Sequence, residues 1–243
     1  MFLRQRATQA EYFDSPDRTL GELRGHYAEL NLLNRLTGSD LPVRKELPSL
    51  VGPEACRSLT ILDVGAGDGF LARRLEGWAA ARGWSWEFTT LDHCPQTAHL
   101  VGDGRHVIGS ATSLPFGDGS FDVVTAMSMT HHLGDDSEVE AHFREAGRVA
   151  RLGVIVCDLH RNVALLAGLW AGLFWMSRGF RQDAVLSVRR AWRVEEWEAL
   201  ARRAGLLGAR TWRFHGTRVV LSWGKVAAGG PIPSPPPPAV PPG

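Results

Sequence analysis

The run ILDVGAGDGF, residues 61–70, holds the residues whose types and spacing are best suited to chemistry. An apolar stretch ends at Asp63, and Gly65, Ala66, Gly67 and Gly69 then form a turn that leads into a helical pattern. Glycine tolerates positive φ and lets a ligand approach the backbone. A helix opening after such a turn offers unpaired N–H groups and the positive end of its dipole to an anion. The dinucleotide fingerprint G-x-G-x-x-G needs a third glycine at position 70, where the chain has Phe70. Shifting the pattern to Gly67, Gly69 and Ala72 restores the letters but leaves Asp63 at the strand tip, where it would repel a pyrophosphate. An acid there suits a ligand with a cationic end.

S-adenosylmethionine (AdoMet) carries an ammonium, a sulfonium and a single carboxylate. Asp63 suits the amino end, and the amides of the Gly65–Gly69 turn suit the carboxylate. Asp92, in TTLDHC, closes a second apolar run, where an acid accepts both ribose hydroxyls, with His93 next to it. The pair of acids favours AdoMet. An NAD(P)-dependent Rossmann oxidoreductase is the alternative from another class.

His131 and His132 follow a later apolar run, and His160 follows the next one, in CDLHRN. An imidazole at such a strand end can take a proton from an acceptor hydroxyl, because its ordinary pKa lies near neutral pH. These three are the candidate catalytic bases, with His132 preferred. Adjacent residues usually point apart, so one of the pair is expected to face a substrate and no metal site is expected from HHLGDD.

The elements that would position these residues alternate. LTILDV, WEFTTLD, RHVIG, FDVVTAMS and RLGVIVCDL read as buried strands, with amphipathic helices between several of them. ARTWRFHG and TRVVLSWG read as two closing strands joined by a tight turn at Gly216. The expected architecture is α/β: a Rossmann-like, doubly wound, seven-stranded, mostly parallel sheet with helices on both faces. Ligands then sit at the carboxyl ends of the strands. Residues 1–55 are expected to form an N-terminal helical cap. Within it a helix over 19–37 ends at Gly38, with Pro42 marking a break and Pro48–Pro53 a second interruption. Residues 56–227 form the main domain, and 228–243 a disordered proline-rich tail.

The stretch VALLAGLWAGLFWM, Val163–Met176, is apolar almost all round and too short to span a bilayer, which needs about 20 residues. It lies in a helical insertion at about 161–190, after the fifth strand. It reads as a lid or substrate wall, with a buried core helix and a helix on a membrane surface as alternatives. As a lid it presents Trp170 and Trp175 to the acceptor, and Arg190 would neutralise an oxyanion.

These motifs resemble those of the class I AdoMet-dependent methyltransferases. DVGAGDG resembles the family's D/E-x-G-x-G-x-G loop, LDHCP its acidic ribose-binding strand end, and GSATSLPFGDGSFDVV the block that follows. AMSMTHHL resembles the next strand and loop. The resemblance implies AdoMet as cofactor, bound by Asp63, Gly65, Ala66, Gly67, Gly69, Asp92, His93, Ser110, Ala111 and Met127. Ser110 departs from the pattern, since the family places an acid there against the adenine amino group; Ala111 can still offer its N–H. ELRGHYAELNLLNRLTG, VCDLHRN and LSVRRAW further resemble a bacterial subgroup that accompanies type III polyketide synthases. That implies a hydroxylated aromatic or polyketide-type acceptor, methylated on oxygen or carbon, in secondary metabolism. A quinone or lipid acceptor at a membrane surface is the variant reading.

Composition agrees with this class. The net charge of +1 excludes the basic excess of a general nucleic-acid binder, so the expected partner is a small-molecule acceptor. The three cysteines, Cys56, Cys94 and Cys157, are scattered and odd in number, which suits a reducing compartment. The first residues, MFLRQRATQAEYFD, lack a long apolar core, so no signal peptide and a cytoplasmic location are expected. Nothing in the sequence sets an oligomeric state.

Overall fold

The computed structural model describes residues 3, 5–15, 17–102, 104–174 and 176–225, without the side chains of residues 170 and 171. The apolar runs form the strands β1 (Ser58–Val64), β2 (Ser85–Asp92), β3 (Arg105–Ile108), β4 (Phe121–Met127) and β5 (Ala150–Leu159). They pair in parallel, and β6 (Arg210–Phe214) and β7 (Arg218–Gly224) complete one sheet of order β3-β2-β1-β4-β5-β7-β6. Strand β7 runs antiparallel between β5 and β6, in a register that sets Arg218 opposite Leu159. The hairpin turn uses positive φ at both His215 and Gly216, a twist that matches the flanking strands.

The chain winds outward from β1 to β3 on one side, then returns to β4 and β5 on the other. The strand order therefore reverses between β1 and β4, which opens a crevice at their carboxyl ends. Register brings Asp63 beside Thr90 and Thr125 there.

Both sheet faces are covered. On one, α4 (Asp136–Val149) and α7 (Val194–Arg203) pack Val139, Phe143, Trp197 and Leu200 against Leu62, Val124 and Val154. On the other, α2 (Leu41–Val51) and α3 (Phe70–Ala80) pack Val43, Leu47, Leu71 and Leu75 against Ile61, Val123 and Ile155. Residue Asp135 caps α4 by accepting from the amides of Ser137 and Glu138.

The segment before residue 56 departs from the sequence expectation. Helix α1 (Leu20–Thr37) ends at Gly38 in the left-handed conformation, as its spacing suggests. Pro42, however, opens a helix instead of breaking one. A proline in the first turn lacks only an N–H that the helix does not use. Pro48 lies inside that same helix, α2, which packs on β5 and β7 as part of the main core.

The apolar stretch after β5 also differs. Helix α5 (Val163–Gly172) stops at Gly172, and α6 runs from Arg178 to Arg190. Leu173 and Met176 turn inward onto Phe180, where Leu30 and Leu33 of α1 join them. Among its described side chains α5 has none buried, and Val163 is 70% exposed. The reading of this stretch as a buried core helix is thereby corrected. A helix apolar all round, beside a sheet already covered, has no core left to enter. The tail at 228–243 lies outside the described residues.

Candidate active site

The glycine loop connects β1 to α3 at the mouth of the crevice. Gly65, Gly67 and Gly69 all have positive φ, at 68°, 57° and 79°. Two of them also lie against side chains. A Cβ on Gly65 would stand 2.2 Å from Met129 Cγ, and one on Gly67 would stand 2.5 Å from Tyr27 Cε1. The loop amides are engaged within the protein. Gly65 and Ala66 donate to Leu91 O at 2.7 and 3.1 Å, Gly67 to Asp92 Oδ2 at 2.8 Å, and Gly69 to Ala66 O at 2.9 Å. In this conformation those four amides do not present themselves to a carboxylate, contrary to the sequence expectation.

Asp63 closes β1 with only 2% exposure. Burial pushes its carboxyl up to about 7, against the hydrogen bond from Thr125 Oγ1 at 3.0 Å, and the charge of Asp92 adds to the rise. Among the described residues no cation pairs with it. A buried acid with no positive partner, next to a backbone cradle, fits the ammonium end of AdoMet.

Asp92 is buried at the end of β2 and accepts from the Gly67 and Cys94 amides. His93 is exposed beside it, with Nδ1 at 3.5 Å from Asp92 Oδ1. Ser110 turns into its own loop, where its hydroxyl meets Thr112 Oγ1 at 2.9 Å, and Ala111 follows it. Met127 packs with the α2–α3 core. The methionine that lies over the glycine loop is Met129, which sequence reasoning missed.

The histidine pair occupies a 3-10 turn, Thr130–His132, after β4. The expectation that the two rings point apart is corrected: their centroids are 4.2 Å apart and tilted by 38°. Two carboxylates draw them to the same side. His131 Nδ1 donates to Asp158 Oδ1 at 2.7 Å, and its backbone N–H donates to Asp158 Oδ2 at 2.8 Å. His132 Nδ1 lies 2.9 Å from Asp14 Oδ1. Burial opposes a charge on His132, but the bond to Asp14 and the charges of Glu11 and Asp14 outweigh it and hold the ring up at about 9. The pairing with Asp14 thus favours the cationic ring over the free base expected of His132. Its cationic form is suited to stabilising an oxyanion.

His160 lies apart from this pair. Its partners are Asn162, 3.1 Å from Nδ1, and the Thr217 carbonyl, so it sits under the β6–β7 turn. Arg190, expected to face an acceptor oxyanion, is instead an internal clamp. Its guanidinium donates to the carbonyls of His131 and His132 at 3.0 and 2.8 Å and to Asp14 Oδ2 at 2.9 Å. With all three nitrogens engaged, it positions the histidine turn. Trp170 lies in α5, its side chain not described, and Trp175 lies outside the described residues.

Other residues at the site came from the N-terminal segment. Asn31 Nδ2 donates to Asp68 Oδ2 at 2.7 Å, which ties α1 to the glycine loop. Tyr27 lies on the same helix, over Gly67. In the sequence Tyr27 reads as part of the apolar face of α1, and nothing local marks it as a loop contact. Glu11 and Asp14 precede α1 and reach the histidine turn.

A buried acid at the tip of β1, a glycine cradle and a second acid at the tip of β2 define a class of nucleotide-cofactor enzyme whose ligand bears a positive charge. Residues 62–157 match the family described as "Methyltransferase domain". A demethylmenaquinone methyltransferase of Roseiflexus sp. (strain RS-1) is 31% identical over 171 residues, covering 67% of each chain. An uncharacterized methyltransferase of Mycobacterium sp. (strain JLS) is 39% identical over 80 residues. That match takes in 31% of this chain and 29% of the mycobacterial one, so the chain spans under a third of the first curated relatives it matches. Among solved structures, an AdoMet-dependent methyltransferase from Aquifex aeolicus has a TM-score of 0.58 at 15% identity, covering 86% of this chain and 100% of that one. The plantazolicin methyltransferase BpumL, solved with a substrate analogue and the demethylated cofactor, has a TM-score of 0.62 at 11% identity over 88% of this chain and 91% of that one. The chain belongs to the class I AdoMet-dependent methyltransferases, and AdoMet is the cofactor of that family.

Proposed function

We propose that this protein transfers the methyl group of AdoMet to a small hydroxylated acceptor, aromatic or polyketide-type, on oxygen or on carbon. The observation that carries this reading is Asp63, a buried carboxyl with no cationic partner among the described residues, beside the glycine loop. Bound AdoMet supplies an electrophilic methyl group, and the protein's part is alignment and exclusion of water. Asp63 would hold the ammonium and Asp92 the ribose hydroxyls, with Tyr27 and Met129 against the loop. The acceptor would lie at the carboxyl ends of β4 and β5 under α5 and α6, with its oxygen toward His132. A cationic ring there would lower the pKa of the acceptor hydroxyl, whose proton would pass to solvent, leaving the oxyanion as the better nucleophile. Cytoplasmic residence and a role in secondary metabolism belong to the same proposal.

The deciding experiment is calorimetric titration with AdoMet and with nicotinamide dinucleotides, followed by labelled AdoMet with a panel of phenols, quinols and pyrones. Binding of a dinucleotide but not AdoMet would overturn the assignment.

A second reading places a quinone or lipid acceptor at a membrane surface. It rests on α5, whose described side chains are apolar and unburied, and on the neighbouring Phe174 at 76% exposure. Arg178 and Arg181, exposed at the start of α6, follow it and suit anionic headgroups. Among the described residues no helix is long and apolar enough to cross a membrane. Co-sedimentation with anionic vesicles, lost in Phe174→Asp, would favour this reading over the first.

A further inference from the structure

We propose that Glu11, His131 and His132 form a binding site for one divalent transition-metal ion of the zinc class. One carboxylate oxygen and one nitrogen from each ring lie within 4.8 Å of one another. The nearest approach recorded is His131 Nε2 to Glu11 Oε1, at 3.6 Å. Zinc holds nitrogen and oxygen ligands at about 2.0–2.2 Å, which places neighbouring ligand atoms roughly 3.3–3.5 Å apart in a tetrahedral set. The His131–Glu11 pair is within a few tenths of an ångström of that spacing, and the set as a whole, within 4.8 Å, closes on an ion by side-chain rotation.

Each imidazole is also oriented as a metal-binding imidazole usually is. Asp158 takes the Nδ1 proton of His131, and Asp14 takes that of His132. A carboxylate on the far ring nitrogen fixes the tautomer and raises the basicity of the ligating one. His131 and Glu11 are both buried, while the His132 side chain is 33% exposed and leaves the cluster a route of entry.

Charge points the same way. Glu11, Asp14 and Asp158 converge on this turn from two parts of the chain. Arg190 is the fixed cation hydrogen-bonded to it, with Nη1 3.9 Å from Glu11 Oε1. The three carboxylates outnumber this arginine, an excess of negative charge that one divalent ion would offset. Two imidazoles and one carboxylate select zinc and its transition-metal neighbours over magnesium or calcium, which prefer oxygen throughout. Ser187 Oγ, which donates to Glu11 Oε1 at 2.8 Å, holds the carboxylate in place. An ion here would tie the N-terminal segment to the strand end. The site does not depend on the methyl-transfer reading.

The test is a titration of the full chain, stripped with a chelator, with zinc chloride and separately with cobalt(II) chloride. The expected result is one saturable equivalent, visible cobalt absorption bands of an N/O site of low coordination number, and a melting temperature raised by several degrees. Glu11→Gln and His132→Gln should each weaken binding at least tenfold, and the exposed His99→Gln should not. Absence of saturable binding or of the cobalt bands in the unmodified protein overturns the proposal, whether or not the variants fold. So does equal affinity in folded Glu11→Gln and His132→Gln, which would leave only a protonated ion-pair network.

Discussion

If Asp63 holds the cofactor's ammonium as proposed, it should couple cofactor binding to pH. Its carboxyl rises from an ordinary value of 3.8 to about 7 on folding, because burial disfavours the charged form. Between those two values the folded protein keeps a proton that the unfolded chain has lost. Its contribution to stability is therefore greatest below pH 4 and declines as pH rises toward 7. A bound ammonium favours the ionised carboxylate and drives that proton off. At pH 6 AdoMet binding should release a substantial fraction of a proton, read from titrations in buffers of different ionisation enthalpy. Asp63→Asn should bind more weakly and release none; equal proton release in both proteins would refute the coupling. At Gly67 the constraint is steric. Alanine there would add about 1–2 kcal/mol of left-handed strain and drive its methyl into Tyr27. Gly67→Ala should lose AdoMet binding while circular dichroism still reports a folded sheet.

At the scale of elements, α5 and α6 stand on a small core of their own. Leu173, Met176 and Phe180 meet Leu30 and Leu33 of α1, separate from the two clusters that flank the sheet. A unit with so few buried contacts should open before the sheet does. Phe180→Ala is expected to speed hydrogen exchange in residues 163–190 and raise the Michaelis constant for the acceptor, with AdoMet affinity unchanged. Uniform loss of protection across the sheet would mean that the insertion belongs to the main core. By contrast, Trp197→Ala removes a fully buried ring that packs edge-on against Phe143 at 5.7 Å. It should cost about 3–5 kcal/mol of global stability, measured by denaturant titration.

The whole molecule is closed by the strap of chain before α1. The Ala7 amide donates to Arg189 O, the Arg6 guanidinium lies 3.5 Å from the Trp192 ring centroid, and Asp183 accepts from the amides of Tyr12 and Phe13. Deleting residues 1–15 strips His132 and Arg190 of their carboxylate partners and leaves Asp183 buried without its donors. The melting temperature should fall by several degrees and acceptor turnover should be lost. Truncation after Gly229 should change neither, because among the described residues the last backbone contact of the sheet is the Lys225 amide to Leu152 O at 2.7 Å. A large drop on that truncation would show that residues 230–243 dock on the fold.

The strands, the glycine turn and the two acids at strand tips were legible in the residues because their signals are local. Apolar runs bury themselves in a sheet, glycines take positive φ, and a strand's last residue falls at its carboxyl end whatever surrounds it. The Gly38 cap and the Gly216 turn follow from the same short-range chemistry. Pro42 and Pro48 misled, since proline reads as a breaker while packing against β5 and β7 holds α2 together through it. Tertiary structure alone decided that α5 stays unburied, because only the covered sheet shows that no core remains for it. It also decided what surrounds the histidines. Glu11, Asp14 and Asp158 reach His131 and His132 across long spans of sequence, and no local periodicity encodes such a meeting. Their convergence turns a pair that reads as a free base into a carboxylate-bound cluster. That change of chemistry comes from burial and from neighbours that the fold supplies.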